Sequence, residues 1–313
     1  MAARSGVLYW VPAMGTIIMD GRAVSESLMP EVRSYARELI EDRRFIPGLA
    51  AVLVGDDAAS RQYVRNKRKL AAELGFRSEL VSVAAAEATT DSLAATIHRL
   101  NEDQGTSGIL LQLPMPPGID KFRLFDEIDR LKDVDAVAAS SVGGFYRGEW
   151  GRFIPCTPRG VLTLLDYYQV PVDGARAVVI GRSDIAGKPL ALILGGRMRN
   201  ATVTWCHRHT RDLAQECRTA DLIVSCVGAD VGRPFLISAG MVKKGACVID
   251  VGFRRVGPGK FAGDVDFEGV KKVAGWVTLN PGGTGPMTVL ALMQNLIDAA
   301  RYQLGMERAS YSV

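Results

Sequence analysis

The feature that most restricts the fold is a repeated unit: a short apolar run, a glycine turn, then an amphipathic helix. Residues 50–54 are such a run, Gly55-Asp56-Asp57 is the turn, and residues 61–74 are the helix, closed by Gly75. Residues 178–180, Gly181 and the segment from Gly187 onward repeat the unit in the second half. Strands alternating with helices in this way predict an α/β protein. A strand at 17–19 and an amphipathic helix over 23–44 lead in, and Pro47-Gly48 stops that helix. A strand at 77–83, a helix at 91–101, a strand at 108–112 and a short helix at 121–128 follow. Beyond a helix at 160–168 come apolar strands at 201–206, 221–228 and 247–252 and a last helix at 288–302. A chain of 313 residues holds two domains of ordinary size. The stiff crossing Pro155-Cys156-Thr157-Pro158-Arg159-Gly160 marks the boundary. The first domain is expected at 1–157, completed by 286–313, and the second at 158–285.

Several polar residues stand where ligands are met. Tyr63 and Lys67 lie four apart, one turn from each other on one helix face. A phenol and an amine beyond the carboxyl end of a strand suit acid/base chemistry, although Arg65, Arg68 and Lys69 beside them would also suit a solvated basic face. Gln112 closes the apolar strand 108–112, where open α/β sheets place ligand contacts. Lys132-Asp133-Val134-Asp135 carries two carboxylates that a period of two would turn the same way, toward a donor-rich ligand or into raising one pKa. Gly181, Arg182 and Ser183 open a strand–turn–helix that can cradle phosphate. The next strand ends in His207-Arg208 rather than in the acid that takes the ribose hydroxyls of NAD. Arg182 and Arg208 can instead bracket a 2′-phosphate, which favours NADP. Asp264-Val265-Asp266 reads as a helix start. The stretch 278–288, with Pro281, Gly282 and Gly283, exposes backbone groups to a ligand.

Composition narrows the classes. Apolar residues make up 48% and charged residues 23%, a soluble globular profile. A net charge of +4, without a basic run interleaved with aromatics, gives no case for nucleic acid. No apolar stretch reaches membrane-spanning length. Residues 6–19 are apolar but broken by Pro12 and lead into a fold element, so we do not read them as a leader; Met14 is an alternative start. The five cysteines form no C-x-x-C pair and are read as reduced thiols in a cytoplasmic protein. His207 and His209 lack a third ligand at helical spacing, and no metal is expected.

With these residues in place the chain resembles, from about residue 16 to 303, the bifunctional methylenetetrahydrofolate dehydrogenase/methenyltetrahydrofolate cyclohydrolase family. The resemblance is carried by Asp20-Gly21-Arg22-Ala23-Val24, by Val54-Gly55-Asp56-Asp57 with Tyr63-x-x-x-Lys67, and by Leu111-Gln112-Leu113-Pro114. It continues through Lys132-Asp133-Val134-Asp135, Pro155-Cys156-Thr157-Pro158-x-Gly160, Gly181-Arg182-Ser183 and Pro281-Gly282-Gly283-x-Gly285-Pro286-Met287-Thr288. It implies two lobes with a cleft between them: an α/β catalytic lobe and a doubly wound, Rossmann-like cofactor lobe, with a C-terminal helix returning to the first. It implies oxidation of 5,10-methylenetetrahydrofolate by NADP and hydrolysis of the methenyl product to 10-formyltetrahydrofolate, in a homodimer. By the same resemblance Lys67 is the catalytic lysine, Tyr63 packs on and orients substrate, and Gln112 hydrogen-bonds the lysine. Asp135 holds the pterin, Pro281, Gly282 and Gly283 touch substrate, and Gly181, Arg182, Ser183 and Thr157 contact the cofactor.

A lysine that serves as a base near neutrality must give up roughly 4 kcal/mol of preference for its charged form. The methenyl cation, neighbouring Arg and Lys residues and partial burial are each expected to contribute. The chain departs from the family pattern at 136–141, at Leu279-Asn280, at Arg208 and at Arg254. The rival readings are a paralogue with one activity lost, a non-catalytic folate- or nucleotide-binding protein, and a two-domain dehydrogenase acting on a small acid.

Overall fold

The structure, a computed structural model, describes residues 15–147, 152–228, 234–257 and 260–311. The segment before Met14, and with it the alternative start, lies outside them. In chain order the chain forms β1 (Ile17–Met19), α1 (Gly21–Arg37), β2 (Gly48–Val54), α2 (Ala58–Glu73), β3 (Arg77–Val83), α3 (Thr90–Glu102) and β4 (Gly108–Gln112). Then come α4 (Lys121–Asp126), α5 (Ala139–Arg147), α6 (Cys156–Tyr167), β5 (Arg176–Ile180), α7 (Gly187–Gly195), β6 (Thr202–Cys206), α8 (Leu213–Arg218) and β7 (Leu222–Ser225). The remainder is β8 (Cys247–Asp250), β9 (Arg254–Gly257), β10 (Lys260–Ala262), α9 (Phe267–Val270), β11 (Trp276–Thr278) and α10 (Thr284–Gln303).

The chain divides into two compact units. The first comprises Ala23–Gly160 and Pro286–Val313. Its parallel sheet has the order β3-β2-β4. All of β2, Gly-Leu-Ala-Ala-Val-Leu-Val, is buried, as a central strand covered on both faces requires. Ala50, Val52 and Val54 alternate onto one face and pack against Leu93, Ile97 and Leu100 of α3 and Phe125 of α4.

The second unit comprises the chain up to Arg22 and Val161–Gly285. Its sheet runs β1-β11-β8-β7-β5-β6, every neighbouring pair parallel. One face is built on Val178, Ile180, Ile223, Val248 and Val277, covered by Cys217, Ile237 and Val270. Residues 17–22 therefore do not go with the first domain, as the sequence reading had them. A three-residue strand cannot stand alone, and β1 finds its backbone partners in β11, Ile17 against Trp276 and Met19 against Thr278. The other two changes of unit fall at Gly160/Val161 and Gly285/Pro286, inside α6 and α10, and α10 returns to the first unit as expected.

Candidate active site

Asp57 starts α2: its carboxylate accepts from the Ser60 N–H at 2.7 Å, the N-cap bond that fixes a helix's first turn. From that start Ser60, Val64, Lys67 and Ala71 form the buried stripe, while Arg65 and Lys69 lie exposed. Lys67 therefore belongs to the packed face of its helix, only 8% exposed, and not to the basic face. Its Nζ donates to Gln112 Oε1 at 3.0 Å. Gln112, at the carboxyl end of β4, is oriented by its own Nε2, which donates to the Leu113 carbonyl at 2.8 Å. Ser60 Oγ donates to that same carbonyl at 3.3 Å, tying the start of α2 to the end of β4.

Burial lowers the pKa of Lys67, and the Asp135 carboxylate opposes it. The expected share for neighbouring Arg and Lys residues is not found; removal from water is the cause. Tyr63, one turn earlier, is half-buried, and burial raises its phenol to about 12. It stays protonated at any physiological pH and can donate but not act as base.

Asp133 and Asp135 do not act as a matched pair. The Ala136 N–H donates to the Asp133 carbonyl, and this turn cancels the strand period. Asp133 is fully buried and accepts from the Val137 and Ala138 N–H groups and the Ser141 hydroxyl. The divergent segment 136–141 thus wraps the first carboxylate. Asp135 is half-buried, its Oδ1 accepts from the Cys156 N–H at 3.0 Å, and its charge acts on Lys67. The Cys156 thiol lies 3.4 Å from the Val134 carbonyl. Burial, reinforced by Asp135, pushes it well above its ordinary range, so it is a neutral neighbour and no nucleophile. Asn295 of α10 fastens this corner, donating to the carbonyls of Val134 at 2.7 Å and Ile154 at 2.8 Å. Sequence reasoning assigned nothing to Asn295 and gave Cys156 a place in a motif and among the reduced thiols but no role in the site; their partners lie far away in the chain.

Tyr63, Lys67, Gln112 and Asp135 are thus gathered in the first unit. Thr157 also lies there, its hydroxyl accepting from Thr288 at 3.4 Å. Pro281, Gly282 and Gly283 lie in the second unit, just past β11, where the Gly282 carbonyl accepts from the Arg22 N–H at 3.2 Å. Asn280, one of the departures from the family pattern, donates to the Gly252 carbonyl at 2.6 Å. Arg254, another, donates to the Pro234 carbonyl.

Gly181, Arg182 and Ser183 follow β5 in the second unit. Gly181 has φ +116°, and a Cβ there would come within 2.7 Å of the Cys226 carbonyl oxygen, so only glycine lets the loops after β5 and β7 meet. Gly187, first in α7, sits equally close to the Gly181 carbonyl, 2.5 Å for a built Cβ. This is the backbone crowding a phosphate-cradling turn needs ahead of its helix. β5 and β6 pair in register, Ile180 with Cys206, so Arg182 and Arg208 each stand two residues past matched strand ends. Both are exposed, and Arg208 Nε donates to His209 Nε2 at 3.1 Å. This set fits a dinucleotide carrying an extra phosphate. Among the described residues no group of three or more His, Cys, Asp or Glu is placed to hold a metal ion.

Comparison with known proteins identifies both halves of the chain. Residues 19–135 match the catalytic domain of tetrahydrofolate dehydrogenase/cyclohydrolase and residues 155–304 match its NAD(P)-binding domain. The bifunctional protein FolD of Moorella thermoacetica is 45% identical over 284 residues, covering 91% of this chain and 98% of that protein. That of Acidovorax sp. is 47% identical over 284 residues, 90% of this chain and 98% of its own. The solved bifunctional FolD methylenetetrahydrofolate dehydrogenase/cyclohydrolase of Campylobacter jejuni superposes with a TM-score of 0.86 at 38% identity, covering 92% of this chain and 100% of that one. The Trypanosoma brucei enzyme, solved with NADP cofactor and inhibitor, gives 0.87 at 36% identity, covering 93% and 99%. Both domains are matched in order over nearly the whole chain, and the protein belongs to the tetrahydrofolate dehydrogenase/cyclohydrolase family.

Proposed function

We propose that this protein oxidises 5,10-methylenetetrahydrofolate with NADP and hydrolyses the methenyl product to 10-formyltetrahydrofolate. The observation that carries the reading is Lys67: an amine on the buried stripe of α2, hydrogen-bonded to Gln112 and lowered in pKa by burial. When bound, the nicotinamide supplies the acceptor for the hydride that leaves the methylene carbon. Arg182 and Arg208 hold the 2′-phosphate, and Gly181, Ser183 and Thr157 contact the rest of the cofactor. Asp135 accepts hydrogen bonds from the amino-pyrimidine edge of the pterin, as an ionised carboxylate can. Tyr63 packs on the substrate and keeps its proton. Pro281, Gly282 and Gly283 complete the contacts to the folate.

In the hydrolytic step, water adds to the methenyl carbon and loses a proton to Lys67 Nζ. That proton then goes to the ring nitrogen as its bond to the carbon breaks. The adduct's hydroxyl closes to the formyl carbonyl and gives up its own proton to solvent, so one proton is released overall and the substrate's positive charge leaves with it. Gln112 fixes the amine for both transfers through its Oε1. A neutral amine is needed for the first transfer, and burial favours that form.

We further propose that the protein is a cytoplasmic homodimer. The cysteines are free, four buried and one half-buried, as suits a reducing compartment. No helix among the described residues is long and apolar enough to cross a membrane.

Both steps can be followed by absorbance, one through reduced cofactor and the other through loss of the methenyl compound. Lys67→Ala is expected to lower the hydrolytic rate by about 10²–10⁴-fold. The wild-type rate should fall as pH drops and Lys67 becomes protonated, and this acid limb should vanish in the variant. A variant that hydrolyses at the wild-type rate removes Lys67 from the mechanism. Assaying the steps separately also detects a chain that has kept only one of them.

A further inference from the structure

The order of connections in the six-stranded sheet reverses between β5 and β7: β5 leads to β6 on one side, while β7 pairs on its other side. Dinucleotides bind across such a switch point, one mononucleotide on each half of the sheet. Gly181 and its neighbours form the wall beyond β5. The wall beyond β7 is the loop Cys226-Val227-Gly228, whose Cys226 carbonyl abuts Gly181.

That second wall is held by one distant side chain. Asp264 is 2% exposed. Its Oδ2 accepts from Ser225 Oγ at 2.7 Å and from the Val227 N–H at 2.9 Å, and its Oδ1 accepts from the Gly228 N–H at 3.0 Å. Gly228 adopts φ +59°, and a Cβ there would meet Phe253 backbone atoms at 3.0 Å, so the loop has little freedom to settle elsewhere. Asp264 is in turn held by a second buried carboxylate. Asp250, at the end of β8, accepts from the Gly252 and Asp264 N–H groups through Oδ1, at 3.0 Å each, and from the Val265 N–H through Oδ2 at 3.1 Å. Two carboxylates taken out of water are costly unless fully hydrogen-bonded, and an apolar core would have served stability as well. Asp264 gathers the Ser225 hydroxyl and two amides of the loop after β7, and Asp250 gathers the amides of Gly252, Asp264 and Val265.

We propose that Asp264, itself held by Asp250, is a positioning residue that shapes the loop 226–228 to receive the nicotinamide half of the cofactor. The adenosine half, beyond β5 and β6, does not depend on it. The inference rests on the reading of NADP as cofactor.

The test is Asp264→Asn, which keeps the shape but leaves one donor facing an amide N–H₂. NADPH affinity, titrated by nicotinamide fluorescence, should weaken about tenfold or more. Affinity for adenosine 2′,5′-bisphosphate, which lacks the nicotinamide half, should stay within about twofold. The hydrolytic rate on methenyltetrahydrofolate should be unchanged, while the KM for NADP rises with NADPH dissociation. Ser225→Ala, which removes one donor and leaves the carboxylate, should move NADPH affinity the same way by about threefold, and keeps the test open should Asp264→Asn fail to fold. NADPH affinity unchanged in both variants, or an equal loss for NADPH and the bisphosphate, would overturn the proposal. Wild-type protein that binds NADPH but turns over no folate would refute the proposed function and leave this inference standing.

Discussion

An ammonium group loses hydration when packed among apolar side chains, and the loss must be offset by partners or by shedding the proton. Lys67 has one side-chain partner among the described hydrogen bonds, the neutral Gln112 amide, and the Asp135 carboxylate acts on it as well. Burial outweighs Asp135, and the result is an amine with lowered pKa. Arg182 is the opposite case, an exposed guanidinium whose N–H donors and charge are open to an anion. Arg182→Ala should raise the KM for NADP about tenfold or more and leave that for NAD nearly unchanged, because only NADP carries the phosphate a guanidinium grips. Equal changes for both would remove the phosphate clamp. Gln112 and the arginines stand out in the sequence because each closes or follows a short apolar run, the local mark of a strand end, whereas Lys67 is singled out by its spacing from Tyr63 and by the family resemblance. Cys156 and Asp264 could not. The donors that Asp264 binds are at 225, 227 and 228, and only the folded sheet brings them to it.

At the scale of elements, α2 carries Tyr63 and Lys67, and Asp57 caps its first turn. Asp57→Ala removes the cap on the Ser60 N–H and should cost about 1 kcal/mol in equilibrium denaturation. The hydrolytic rate should fall as well, since Ser60 ties that turn to Leu113, next to Gln112. A variant of unchanged stability would mean the turn is held by other contacts. Strands β3 and β4 have the bounds their apolar patterns indicate, residues 77–83 and 108–112. Five helices begin earlier than the sequence suggested, α1, α2 and α3 by one to three residues and α6 and α10 by four. α6 starts at Cys156 and α10 at Thr284, ahead of Pro158 and Pro286, which were read as breaks. Proline lacks only a donor that the first turn leaves unused, so it is compatible with a helix there. α1 is α-helical to Arg37 and runs on through Asp42 as a wider π turn, where Arg43 N–H bonds back to the Glu38 carbonyl, so the helical run ends close to the expected 44. The hairpin of β9 and β10 was not anticipated; its strands of four and three residues are too short to show a period.

For the molecule as a whole, the two matched domains place redox and hydrolytic chemistry in one polypeptide. The family resemblance adds a partner copy. Sedimentation equilibrium should return a mass near twice that of the chain; a monomer that still turns over both substrates would rule out a required dimer. The changes of unit near 160 and 285 fall at proline- and glycine-rich crossings, which carry a local mark in the sequence. The change at the amino end carries none. Nothing in Ile17-Ile18-Met19 says which sheet it will join, because a parallel edge strand carries no local mark of its partner.

The pairing of β1 with β11 also has a bearing on biosynthesis. A ribosome releases Ile17–Met19 long before Trp276–Thr278, yet these two must lie side by side. The earlier strand must wait, and the open rim of the growing sheet stays uncapped until the later one emerges. Contacts so remote in sequence are slow to form, so the closing event in maturation is the docking of the oldest strand onto the youngest.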